Sequence, residues 1–226
     1  LSAMVDRTTI FVDIHEEDTD HTGSVFHSHF LKYLERGREQ LLGQQALVDL
    51  FATSGRSFVV VRVEITLKLP ARWGDRLRVV TVPNIASSHR LTFDCKVLRE
   101  EAVLVKANVD MVCVDRNMKM TALPEIITSP LAALASPAPV AKRPALARKR
   151  GPGGGAPPVP PTSTMHELKM HVHYEHTDFT GVVYYANYLQ FFAQARARCL
   201  GLRALVALWE KEGLLLKVHS ASVEYK

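Results

Sequence analysis

The sequence repeats itself at one fixed offset. Slid along itself by 158 positions, the 226-residue chain meets identical residues, without a gap, from His15 and His173 to Lys68 and Lys226. Glu17 meets Glu175, Thr19-Asp20 meets Thr177-Asp178, Thr22-Gly23 meets Thr180-Gly181, and Val25 meets Val183. Leu31, Arg38, Leu42-Gly43, Ala46-Leu47-Val48, Leu50 and Gly55 also meet their own kind. Chance does not hold one register over a stretch of domain size, so one structural unit is expected twice. Residues 69–127 follow the first copy and have no counterpart, because the second copy stops just short of Pro70-Ala71-Arg72. The expected organisation is a complete domain at 1–127, a linker at 128–164, and the N-terminal half of a second domain at 165–226. The short second copy reads as a truncation of a longer tandem protein.

The segment 128–164 holds nine of the twelve prolines, a Gly-Pro-Gly-Gly-Gly run, five basic residues (Lys142, Arg143, Arg148, Lys149, Arg150) and no acid. Such a composition cannot bury enough apolar surface to offset its chain entropy, so a disordered tether is expected there. Its five cations also account for the net charge of +5, leaving 23 basic and 23 acidic residues elsewhere. A folded part that is neutral overall argues against nucleic-acid binding. No uncharged apolar run is long enough to span a membrane. The start, Leu-Ser-Ala-Met-Val-Asp, shows no basic segment leading into an apolar one, so no signal peptide is read there. Cys95, Cys113 and Cys199 are odd in number and far apart, which gives no disulfide framework and points to the cytoplasm.

Periodicity outlines the elements. Ile10, Val12 and Ile14 alternate on a strand over 9–16, and Leu168, Met170 and Val172 repeat that pattern. Phe30, Leu34, Leu41 and Leu42 fall at helical spacing, which predicts one helix from His29 to Leu47; Tyr188, Leu189, Phe192 and Ala195 mark its counterpart. A β-rich run follows Gly55, and three more strands are expected at 76–82, 90–99 and 102–115. One long helix against one antiparallel sheet is an α+β two-layer arrangement, in which the sheet must curl around the helix.

The order strand, Glu-x-Thr-Asp-x-x-Gly-x-Val-aromatic and helix, followed by "LPARWGDRL" (69–77) and "ANVDMVCVDRNMKMTALPEII" (107–127), resembles the hotdog-fold acyl-CoA thioesterases of the 4-hydroxybenzoyl-CoA thioesterase and YbgC type. The resemblance covers nearly all of 1–127 and, incompletely, 166–226. It implies hydrolysis of an acyl-CoA or acyl-carrier-protein thioester, with no cofactor and no metal. It implies Asp20 and Asp178 as nucleophile or general base, and a carbonyl-polarising backbone N–H at His27 and Tyr185. It also implies pairing of hotdog units sheet edge to sheet edge, hence a homo-oligomer with sites at the pair's interface.

Elementary chemistry agrees with this. The first N–H groups of a helix lack internal partners and carry the positive end of its dipole, which suits an oxyanion. A carboxylate on the preceding loop can reach a carbonyl carbon or a water beside it. Gly23 and Gly181 would permit close approach of the backbone, with Val25 and Val183 beside them. Arg72, Arg90 and Lys119 are candidate cations for the CoA phosphates. Taken alone, an Asp before a helix is also an N-cap, and Glu35 and Arg38 could pair with each other along one helix. Ala193 stands where Glu35 stands in the first copy, which motivates the alternative of a non-catalytic acyl-thioester binding or assembly module. His171-x-His173 lacks a third ligand at convincing spacing for zinc. Cys113 reads as a small core residue. The second copy's helix, unable to be wrapped by its own short chain, should leave Tyr188, Phe191, Phe192 and Leu205 partly exposed.

Overall fold

The computed structural model describes residues 7–132, 134 and 167–226. Strand β1 (Thr9–Asp13) and a 3-10 turn (Glu16–Asp18) lead into helix α1 (His29–Leu42) and helix α2 (Gln44–Ser54). Strands β2 (Ser57–Leu67), β3 (Arg76–Ile85), β4 (Arg90–Arg99) and β5 (Ala102–Val114) follow, then helix α3 (Glu125–Ala132). The second segment carries a 3-10 turn (Tyr174–His176), helix α4 (Asn187–Leu200), helix α5 (Leu202–Glu212) and strand β6 (Ser220–Glu224). All strands join one antiparallel sheet in the order β1-β3-β4-β5-β2-β6.

Helix α1 is the core of the first domain. Its apolar stripe, Phe30, Leu31, Tyr33, Leu34, Leu41 and Leu42, is buried. It packs on the inward set of the alternating strands, which includes Leu77, Val79, Leu91, Phe93, Val97 and Val109. The approach is close at Gly37, where an added Cβ would lie 2.7 Å from the Thr81 hydroxyl oxygen. This is the hotdog arrangement, a sheet curled around a central helix. Val12, Ile14, Cys95 and Cys113 are buried as well.

Four expectations need correction. The helix predicted from His29 to Leu47 is two helices, because the chain turns at Gly43, where φ is +88°. The Gly43 N–H closes α1 on the Glu39 carbonyl, and Leu47 N–H opens α2 on the Gly43 carbonyl. Gly201 does the same between α4 and α5, at φ +86°. Second, residues 167–173 form no strand, although they carry the alternation of β1. Strand β1 exists by pairing with β3, and the second segment has no β3 to satisfy those backbone groups. Third, the ordered chain does not end at residue 127. Helix α3 continues to Ala132, with Ile127 and Leu131 buried, and the rest of the expected linker lies outside the described residues. Fourth, Glu35 and Arg38 do not bond each other; both reach across to the second segment, as described below.

The second segment docks through the sheet. Strand β6 pairs antiparallel with β2 so that Glu64 faces Ser222, its own counterpart at the 158-residue offset. The two segments are thus related by an approximate two-fold axis through that pair. As expected, the helix surface without a covering sheet is open: Tyr188, Phe192, Leu200 and Trp209 are all substantially exposed, and Phe191 and Leu205 are half-buried. Among the described residues no helix is long and apolar enough to cross a membrane.

Candidate active site

Asp20 sits in the turn between the first 3-10 turn and α1. Its backbone N–H donates to the Ser24 carbonyl and its own carbonyl accepts from Gly23, which closes a tight loop. Its Oδ1 accepts from the Thr22 N–H at 2.9 Å and from the Thr22 hydroxyl at 2.5 Å. Asp20 is therefore not an N-cap of α1, the cap position being Ser28. Oδ2 accepts no hydrogen bond among the described residues. Gly23 is a glycine because φ is +69° there; nothing lies within 4 Å of its missing Cβ, so the expected close backbone approach is not its reason. Gly181 repeats this at φ +81°.

Burial alone would raise the Asp20 carboxyl, but the Thr22 hydroxyl and amide, the Lys217 ammonium and the Ser24 amide together hold it below the usual carboxylate range. It is ionised at neutral pH and has one oxygen unengaged. That suits a nucleophile or a general base.

An open cleft of about 340 Å³ runs along this loop. Asp20, Ser24, Val25, Phe26, His27 and Phe30 line it from the first segment, with Leu67–Pro70 at its edge. Arg196 of α4 and residues 216–219 line it from the second segment. The cleft lies at the junction of the two segments. His27 stands just before α1, and its backbone N–H donates to no protein acceptor among the described residues. An unengaged amide thus lies in the same cleft as the Asp20 carboxylate.

Burial, and then the Arg196 charge, hold the His27 imidazole below its ordinary value, despite a bond to the Leu189 backbone carbonyl. Burial and Lys32 do the same to His29. The folded chain therefore takes up protons at these two rings less readily than the unfolded chain does. Their contribution to stability is complete above the ordinary histidine value of 6.5 and is lost as the pH falls from there toward the lower folded values. The urea midpoint should thus drop between pH 7 and pH 5, and drop less in H27Q; an identical drop in that variant would show that folding leaves the proton affinity of His27 unchanged.

The Asp178 loop reproduces the Asp20 loop. The Thr180 N–H (2.8 Å) and hydroxyl (2.5 Å) donate to Asp178 Oδ1. Tyr185 replaces His27 and donates to the Leu31 carbonyl at 3.0 Å, the same contact at the counterpart position. Arg38, fully buried, donates to the Tyr185 hydroxyl at 2.9 Å and lies 5.8 Å from its ring centre. Burial pushes the Tyr185 phenol up to about 12. The Tyr184 hydroxyl donates to Glu35, whose carboxyl burial raises above the usual range. In the first site these two positions hold Phe26 and Ala193. The two sites thus differ in that the second carries a buried polar network. Val183 is half-buried beside it.

The three candidate phosphate cations do not line this cleft. Arg72 is exposed, its N–H bonded to Asp75, and does not line the cleft. Arg90 pairs with Asp110 at 3.8 Å beside a separate hollow formed with Arg62, Glu224 and Tyr225. Lys119 is exposed in the turn whose Asp115 side chain accepts its N–H. Lys68, Arg196, Lys217 and His219 occupy the cleft instead. Arg196 was visible as an identity with Arg38, whereas Lys217 has no such signal, since its counterpart is Val59. His171 and His173 are exposed, and no three His, Cys, Asp or Glu side chains among the described residues converge as a metal site would require.

The sequence profile of the family described as "Thioesterase-like superfamily" matches residues 14–149. The acyl-CoA thioester hydrolase YbgC of Escherichia coli O6:H1 is 33% identical over 133 residues, which covers 54% of this chain and 96% of that protein. The 1,4-dihydroxy-2-naphthoyl-CoA hydrolase of Synechocystis is 30% identical over 118 residues, 50% of this chain and 80% of that one. A solved structure of a 1,4-dihydroxy-2-naphthoyl-CoA thioesterase from Synechocystis superposes with a TM-score of 0.53 at 26% identity, covering 56% of this chain and 96% of that chain. The 12:0-ACP thioesterase from Umbellularia californica is similar in fold alone, with a TM-score of 0.67 at 10% identity. That likeness covers 96% of this chain, and hence both segments, and 76% of the other. The chain belongs to the thioesterase-like superfamily and is a thioester hydrolase of the hotdog fold.

Proposed function

We propose that the chain hydrolyses acyl-CoA thioesters in the cleft between the Asp20 loop and helix α4. The observation that carries this reading is the meeting, in one cleft, of an ionised carboxylate and the unengaged His27 amide before α1. The thioester carbonyl oxygen would lie toward the His27 N–H. This donor stabilises the charge that develops as the carbon is attacked, a contribution on the order of 3 kcal/mol in other enzymes. Asp20 either attacks that carbon itself, forming an anhydride that water then opens, or removes a proton from the attacking water. In both routes the carbon–sulfur bond breaks and the sulfur leaves as a free thiol. Lys68 and Arg196 make the cleft cationic, which fits the phosphates of CoA.

The second segment is read as the N-terminal half of a second hotdog unit, and its β6 on β2 as the contact by which single units pair. A binding or structural role suits its Asp178 site, where Glu35, Tyr184, Arg38 and Tyr185 form a buried polar network. The test is a panel of acyl-CoAs differing in chain length and aromaticity, read by thiol release and by direct binding. Thiol release from at least one member is expected; binding to all without release would make the chain a binding module.

A further inference from the structure

The two Asp loops differ at one contact that is not part of the polar network of the Asp178 site. Lys217 of the second segment donates from Nζ to the Ser24 hydroxyl at 2.9 Å and to the Thr22 hydroxyl at 3.4 Å. Thr22 is the residue whose N–H and hydroxyl hold Asp20 Oδ1, and the Ser24 carbonyl holds the Asp20 N–H. One ammonium thus grips both ends of the catalytic turn. At the counterpart positions the serine is Val182 and the lysine is Val59. Both members of the polar pair are absent together, although the Thr180–Asp178 bonds are retained. Lys217 lies in residues 213–219, which belong to no strand, although the His219 carbonyl accepts from the Leu67 N–H. The counterparts Ser57–Val60 of β2 are instead paired with β5.

We infer that Lys217 is a positioning residue for Asp20, a cation lent by the second segment that makes the Asp20 loop the competent one of the two. The inference rests on the proposed thioesterase reading of this cleft. Lys217 acts through the Thr22–Ser24 turn, fixing which way the Asp20 carboxylate faces and favouring its charged form. The other titratable groups lining the cleft are His27, Lys68, Arg196 and His219; Asp18, on the preceding turn, faces His29 instead.

The experiment compares the 226-residue chain with K217M, K217R and S24V. Two quantities are read: kcat/KM for an acyl-CoA across pH, and the titration of the Asp20 side-chain carboxyl carbon by NMR, assigned through D20N. In K217M the acid limb of kcat/KM and the Asp20 titration should both move up by about half to one unit, a size set by a partly solvated charge pair. kcat should fall about three- to tenfold with KM nearly unchanged, and K217R should restore most of it. S24V should reproduce the kcat loss with a smaller titration shift. An unmoved Asp20 titration together with an unmoved acid limb in K217M overturns the inference. Full activity in D20N overturns the catalytic reading instead, and the carbon titration still reports whether Lys217 acts on Asp20.

Discussion

Asp20→Asn should lower kcat/KM by about a hundredfold or more while leaving the fold intact. The substitution is unusually clean here. Asn retains an oxygen at Oδ1, so both Thr22 bonds that close the turn can persist. What disappears is the charge and the basicity of the second oxygen, the atom that no protein group engages. A change that leaves the turn standing and removes only the carboxylate separates catalysis from loop structure. Asp178→Asn should do far less, because its site carries the Glu35–Tyr184 pair where the Asp20 site has Ala193 and Phe26. Equal losses in the two variants would mean that both sites turn over, and undiminished activity in D20N would remove Asp20 from the mechanism.

Leu34→Ala should destabilise the chain by about 2–5 kcal/mol, as a fully buried leucine replaced by a cavity does. The counterpart substitution, Phe192→Ala, removes a larger side chain yet should cost less than about 1 kcal/mol, since Phe192 is 50% exposed. The two positions occupy the same place in their helices, and only the covering sheet differs. Gly37 and its counterpart Ala195 tell the same story: a Cβ is excluded at 37 by Thr81 and is carried at 195, where no strand from the second segment lies above. Urea titrations of both variants check this. A loss in F192A as large as in L34A would show that α4 is covered in solution.

Much of this was legible in the residues. Local periodicity places β3, β4 and β5 nearly to their ends, because each strand alternates inward and outward side chains in a half-buried sheet. The repeat locates both Asp loops and the Arg38–Arg196 pair. Features that depend on a partner were not legible. Residues 167–173 have the alternation of a strand but no neighbour to bond. Glu35 and Arg38 sit one helical turn apart and look like a local pair, yet the second segment brings two phenols within reach, and both side chains turn to them. Lys217 carries no periodic signal, and it matters only because the chain between α5 and β6 brings it to the Thr22 and Ser24 hydroxyls. Arg72 stands beside the cleft-lining Ser24 without lining the cleft itself, and Arg90 lies at a separate hollow paired with Asp110. The break at Gly43 was readable, since Leu-Gly recurs at 200–201, but the run of apolar positions beyond it masked the stop.

The most direct test of the account is a structure of the chain with a non-hydrolysable thioether analogue of an acyl-CoA. The carbonyl oxygen should lie about 3 Å from the His27 N–H, with Asp20 Oδ2 beside the carbonyl carbon and the CoA phosphates near Lys68 and Arg196. An analogue seated away from Asp20, with the cleft at the junction of the two segments left empty, would contradict it.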